Sequence, residues 1–208
     1  MPRRRRRAEP EPPVRRPLTG SLSIRSQILM GAAEVFGAHG YARTSVEDVL
    51  RAAGISRRTF YRFFRNKEEL FDELADTAGM LFLQSIRNAA TLGKTPEDKL
   101  ANCVEVYLRA PQTAGPIFHV LRIEASRPGS RQAARRQVII DALVGMISEG
   151  LRGEGRTVDP LVLRGLMGAM EDISMHVFDQ HPGDETAIAH AKAAMLHIMT
   201  STLAAPGP

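Results

Sequence analysis

Arg57, Arg58, Thr59, Tyr61 and Arg62 are the residues of this 208-residue chain best equipped to act on another molecule. They follow Ser56, which reads as the N-cap of a short helix, so the two arginines take its first helical positions. A guanidinium can grip guanine O6 and N7 through two hydrogen bonds, worth roughly 1–3 kcal/mol of discrimination. Thr59 can offer its methyl to thymine or its hydroxyl to a phosphate. A helix that presents such groups at its N-terminal end is built to read duplex DNA in the major groove. The charge distribution points to the same partner. Residues 1–20 carry a net +5 and residues 21–70 a net +3, whereas residues 71–208 carry −3. A basic front and a mildly acidic back suit a polyanion at the front.

Other chemistries find less support. The six histidines, His39, His119, His176, His181, His190 and His197, include no pair at the four-residue spacing that stacks two metal ligands on a helix face. Cys103, the single cysteine, shares an apolar stripe with Leu100, Val104, Tyr107 and Leu108 and reads as a buried, inert thiol. It excludes a disulfide framework and a cysteine-based zinc module. There is no phosphate-cradling glycine loop, nucleophile elbow or carboxylate pair at a recognisable turn. The expectation is a protein with no catalytic residue, no metal and no cofactor. No apolar run approaches the roughly 20 residues of a bilayer span, and no apolar segment follows the basic N-terminus. A soluble cytoplasmic protein is expected.

The elements that must position these side chains are helical throughout. Residues 1–20 combine Arg3 to Arg7 with Pro10, Pro12, Pro13 and Pro17 and are expected to form a disordered arm, either a solvated tail or a source of extra phosphate or minor-groove contacts. Ile24, Ile28, Leu29, Ala32, Ala33 and Phe36 form one apolar stripe, closed by Gly40. Thr44 is expected to open a second helix, with Glu47 completing a capping box. Gly54 breaks that helix, Ser56 caps a third, and Asn66 caps a fourth that begins at Lys67. Phe60 and Phe64, four residues apart, should face the core. Two short helices joined by the tight turn Ala53-Gly54-Ile55, after a longer first helix, make a helix-turn-helix.

Three stretches carry a resemblance: Thr44-Ser45-Val46-Glu47-Asp48-Val49, Ala53-Gly54-Ile55-Ser56-Arg57-Arg58-Thr59-Phe60-Tyr61, and Phe64-Arg65-Asn66-Lys67-Glu68-Glu69-Leu70. Together they resemble the tetracycline-repressor (TetR) family over residues 24–70. Arg58 departs from the pattern, standing where many members carry glycine or another small residue. The resemblance implies an all-α fold of about nine helices. A helix-turn-helix domain would span residues 21–70, and an effector-binding and dimerisation domain residues 71–208. It implies backbone contacts from Tyr61 and Lys67 and a phosphate anchor at Thr44; Ser45 and Arg62 join Arg57, Arg58 and Thr59 as DNA-binding candidates.

Beyond residue 92 the sequence marks helix starts at Thr95-Pro96, Gly115-Pro116, Ser130 and Asp159-Pro160, with breaks at 91–95, 110–115, 127–129, 152–159 and 180–184. Gly165, Gly168, Ala169 and Asp172 place small or short residues along one side of the helix near residues 160–179. Ala187, Ala191, Ala194 and Ile198 do so on the last helix. These two stripes could pack within one subunit or, as the resemblance implies, build a homodimer interface. The resemblance also places Tyr107, Phe118, His119, Arg122, Met170, Glu171, Met175, His176 and Phe178 on helices that line an effector pocket. Such a pocket would take a small, largely apolar molecule.

The expected function is dimeric repression at a pseudo-palindromic double-stranded operator, released by that effector. Two alternatives stand beside it. One is an effector-free or activating regulator whose C-terminal domain binds a protein. The other is a helical small-molecule-binding protein that does not bind DNA specifically.

Overall fold

Residues 23–204, which the computed structural model describes, fold into nine α-helices with no strand among them. The arm expected at residues 1–20 lies outside this range. In chain order the helices are α1 (Ile24–His39), α2 (Val46–Ala53), α3 (Arg57–Tyr61), α4 (Lys67–Leu92), α5 (Pro96–Ala114), α6 (Pro116–Ala125), α7 (Arg131–Gly153), α8 (Pro160–Gln180) and α9 (Glu185–Ala204).

Most boundaries follow from caps visible in the sequence. The side chains of Ser56, Asn66, Thr95, Ser130 and Asp159 each accept a hydrogen bond from a backbone N–H in the first turn of the helix they precede. Gly40 and Gly54, with φ of 79° and 64°, end α1 and α2 in conformations that a side chain would strain. Two expectations need correction. The cap of α2 is Ser45, not Thr44, and its capping box is closed by Asp48, not Glu47. Thr44 is 2% exposed and its hydroxyl is already committed, lying 2.8 Å from the Gly40 carbonyl and 3.2 Å from that of Val35. The break expected at 110–115 shrinks to Gly115, because α5 runs straight through the buried Pro111.

The helices enclose two apolar cores. The first joins Ile28, Ala32 and Phe36 of α1, Val49 of α2, Phe60 of α3 and Phe64 to Leu70, Phe71 and Leu74 of α4. Ile117 and Val120 of α6 complete it, so this core draws on chain well beyond residue 70. The second gathers Ile86 of α4, Val104 and Leu108 of α5, Leu143 of α7 and the inner faces of α8 and α9. The single long helix α4 therefore serves both.

Ion pairs fix α4 against its neighbours. Asp72 accepts hydrogen bonds from Arg131 (2.8 Å), Gln132 (2.8 Å) and Arg135 (3.0 Å) of α7, and Asp76 accepts from Arg135 (2.6 Å). On the neighbouring flank Glu73 holds Arg25 of α1 through both carboxylate oxygens.

Candidate nucleic-acid interface and the C-terminal cavity

Helix α3 is only five residues long, so its orientation depends on what it packs against. Phe60 and Phe64 are fully or almost fully buried and anchor it beneath α1 and α4. The turn before it is closed by the Ile55 N–H donating to the Leu50 carbonyl at 3.1 Å. Anchoring one side exposes the other. Arg58, Tyr61 and Arg62 are exposed, and neither arginine forms an ion pair among the described residues. The Tyr61 ring, half exposed, stands edge-on against Phe60 with centroids 5.3 Å apart.

The remaining predicted DNA contacts are more constrained. Arg57 is exposed but paired with Glu47 of α2. Thr59 is partly buried and shares a 2.9 Å hydrogen bond with the Ser56 hydroxyl. Ser45 is exposed, with its hydroxyl 2.7 Å from Asp48. That hydrogen bond, with a second from the Ser45 N–H, holds the Asp48 carboxyl below its ordinary range. Lys67 turns inward. Its ammonium donates to the carbonyls of Tyr41 (2.9 Å) and Thr44 (2.8 Å) and lies 4.4 Å from the centre of the Tyr41 ring. Burial, the leading cause, pushes the Tyr41 hydroxyl up to about 12. In this geometry Lys67 staples α4 to the α1–α2 connection, and the Thr44 side chain supports the same corner from within.

Residues 28–74 match the family model described as bacterial regulatory proteins, tetR family. This region carries the helix-turn-helix of the TetR family. The chain is 40% identical over 57 residues to the HTH-type transcriptional regulator YhgD of Bacillus subtilis, covering 27% of this chain and 30% of YhgD. A Haemophilus influenzae HTH-type regulator is 29% identical over 112 residues, which cover 52% of this chain and 55% of that protein. The chain thus spans under two thirds of each of these relatives. Among solved structures, the regulator FadR of Bacillus subtilis, in complex with stearoyl-CoA, superposes with a TM-score of 0.70 at 19% identity. That superposition covers 85% of this chain and 98% of FadR. At this identity the likeness concerns the fold.

Beyond this region the C-terminal helices surround a cavity of about 430 Å³ between α4, α5, α7, α8 and α9. Its mouth is formed by exposed residues at the start of α5 (Pro96, Glu97, Lys99), the end of α7 and beyond (Gly150, Glu154, Arg156) and the end of α9 (Thr200). Its wall includes the buried Leu143 and Met170 and the partly buried Tyr107. Because Ile86 and Ala90 near the C-terminal end of α4 line it, the mouth faces away from the helix-turn-helix at the other end of α4.

Of the nine pocket residues expected from sequence, Tyr107 and Met170 line this cavity and the other seven do not. Phe118 and Phe178 pack on each other (5.9 Å), Arg122 pairs with Asp179 (3.4 Å), and Glu171 pairs with Arg136. Met175 is buried away from it, while His119 and His176 are exposed. Helix α6 cannot line the cavity because it is engaged against α1, where Ile117 and Val120 close the first core. The lining residues that sequence reasoning missed, including Met146, Ile147, Met195 and Met199, sit on apolar stripes of α7 and α9. Those stripes were the available signal.

The two small-residue stripes also separate. Gly165, Gly168 and Asp172 of α8 are exposed, and no atom of the described chain lies within 4 Å of a Cβ added at either glycine. Ala169 is partly buried against the second core. On α9 the expected stripe turns inward: Ala191 is buried, and Ala187, Ala194 and Ile198 are partly buried. It packs within the chain, which leaves Ala189, His190, Ala193 and His197 on the outer side. Among the described residues no group of three or more His, Cys, Asp or Glu is placed to hold a metal, and no helix is long and apolar enough to cross a membrane.

Proposed function

We propose that this chain is a dimeric DNA-binding transcriptional repressor whose grip on a pseudo-palindromic operator is released by a small molecule in the C-terminal cavity. The observation that carries the reading is the outward face of α3, where Arg58, Tyr61 and Arg62 stand exposed on a helix anchored from behind by Phe60 and Phe64. Residues 21–70 would read DNA, with Arg58 on base edges and Tyr61 and Arg62 on the backbone. Arg57 would join them by exchanging Glu47 for a base or phosphate, an exchange favoured by the stronger negative field of the duplex. Residues 71–208 would sense the effector and dimerise. The exposed side of α8 at Gly165, Gly168 and Asp172, beside the outer face of α9, is open to a second copy. A two-fold dimer would place two copies of α3 about 34 Å apart, one helical turn of DNA.

Release follows if the effector binds better to a form whose two α3 helices no longer match that spacing. A 100-fold loss of operator affinity corresponds to about 2.7 kcal/mol of such coupling. The lever is α4, whose C-terminal half lines the cavity and whose N-terminal half completes the first core. FadR of Bacillus subtilis, a regulator of the same fold solved in complex with stearoyl-CoA, supports a small-molecule effector.

The test is an anisotropy titration against DNA from upstream of the chain's own gene, with a random duplex as control, at several salt concentrations. Tight binding to the upstream DNA alone is expected. Equal, steeply salt-dependent binding to both duplexes would reduce the interaction to phosphate contacts and overturn the specific-repressor reading.

A further inference from the structure

The cavity interior is almost wholly apolar, and the exceptions decide what it can hold. Leu100, Val104, Leu143, Met167, Met170 and Met195 supply most of its wall. Behind the mouth only two lining side chains can make hydrogen bonds, the Cys103 thiol and the Tyr107 hydroxyl. The thiol is spent, since Cys103 Sγ donates to the Ile86 carbonyl at 3.6 Å. The hydroxyl is not, for Tyr107 makes no side-chain hydrogen bond to any described residue. The one carboxylate near it, Glu171, already accepts from Arg136 with both oxygens, one at 2.9 Å. The Tyr107 ring is held edge-on by Phe82 at 5.7 Å, which fixes its place in the wall. Burial, with the Glu171 charge adding to it, raises the hydroxyl far above its ordinary range, so it remains a neutral donor at every physiological pH.

Resting on the effector reading above, we propose that Tyr107 is the specificity-determining group of this cavity. It selects an apolar molecule that carries a carbonyl oxygen. The neutral phenol donates to that oxygen, while the methionine- and leucine-lined walls take up the hydrocarbon. The phenol has no hydrogen-bond partner among the described side chains, so a ligand lacking the acceptor forgoes the gain of satisfying it.

The test uses the whole protein without DNA, which keeps its result separate from that of the operator titration. Cys103 lines the same cavity and is the chain's single cysteine, so its rate of modification by N-ethylmaleimide reports occupancy. Octane and methyl hexyl ketone, equal in carbon count and delivered from cyclodextrin, are the probes. Both should protect Cys103. Tyr107→Phe should weaken the ketone about fivefold to tenfold and leave octane unchanged. The infrared carbonyl stretch of the ketone bound to the unmodified protein should lie below its value in hexane, the signature of an accepted hydrogen bond. Equal losses for both probes in Tyr107→Phe, a carbonyl stretch at the hexane value, or no protection by either probe would each overturn the proposal. None of those outcomes bears on whether α3 binds DNA.

Discussion

At the scale of single residues, the positions nearest the proposed interface divide into those facing out and those holding the unit together. Lys67 belongs to the second group, since both its hydrogen bonds end on backbone carbonyls of the α1–α2 connection. Lys67→Ala should therefore cost about 2 kcal/mol of stability and lower Tm by roughly 4–8 °C. Its DNA affinity, measured well below that Tm, should change less than that of Tyr61→Ala. An unchanged melting curve with a uniform loss of DNA affinity would assign Lys67 to phosphate binding instead. Arg58→Ala should leave Tm unchanged within a degree or so, because the side chain is exposed and makes no ion pair among the described residues. It should alter which base is preferred at one operator position, and selection from a randomised duplex pool reads that directly. Gly31 shows the opposite sensitivity. A Cβ there would sit 2.8 Å from the backbone nitrogen of Ala53, so Gly31→Ala must push α1 and α2 apart. It should cost about 1–3 kcal/mol in chemical denaturation.

At the scale of elements, α4 is the only helix whose buried residues contribute to both cores, and its polar side is tied in two directions. Asp72 is the busiest of these ties, satisfying Arg131, Arg135 and the buried Gln132 together. Asp72→Ala would strand the Gln132 amide and loosen α7 from α4. We expect a loss of about 2–3 kcal/mol in denaturant unfolding and, in a ligand-titrated operator assay, a weaker effect of ligand on DNA affinity. A variant that unfolds earlier yet keeps full ligand response would show that the coupling runs through apolar contacts alone.

At the scale of the whole molecule, several carboxylates are held ionised by particular partners. Glu69 is lowered first by the Arg65 N–H, Glu105 by Arg109 and then Lys192, and Glu185 by Arg109. A carboxyl whose folded pKa lies below its unfolded value of 4.5 stabilises the protein above that value. The contribution disappears as pH falls through the folded pKa. Thermal stability should therefore be flat from neutral pH down to about 5 and then decline steeply below about pH 4. Glu105→Gln should shallow that decline. The proposed dimer has its own probe in Gly168→Arg on the open side of α8. Sedimentation should show this variant as a monomer with unchanged helicity.

The helix-turn-helix was legible because its instructions are local. Ser56 and Asn66 are caps wherever they stand before a helix, Gly54 is a stop, and a four-residue Phe60–Phe64 spacing must put both rings on one side. Helix starts at Thr95, Ser130 and Asp159 were readable for the same reason. Matters of facing were not. Ser45 and Thr44 are adjacent candidates for one cap, and only the carbonyls of Val35 and Gly40, folded into reach, take Thr44 out of contention. A stripe such as Ala187, Ala191, Ala194 and Ile198 says that a face is small and apolar, not whether its neighbour belongs to the same chain. Which pocket residues meet depends on α6 being committed to α1, a contact between segments some 80 residues apart. Local propensity and periodicity thus determined the helices and the likeness of their N-terminal arrangement. Long-range packing alone decided which side chains were consumed in holding the fold and which were left free to meet DNA or a ligand.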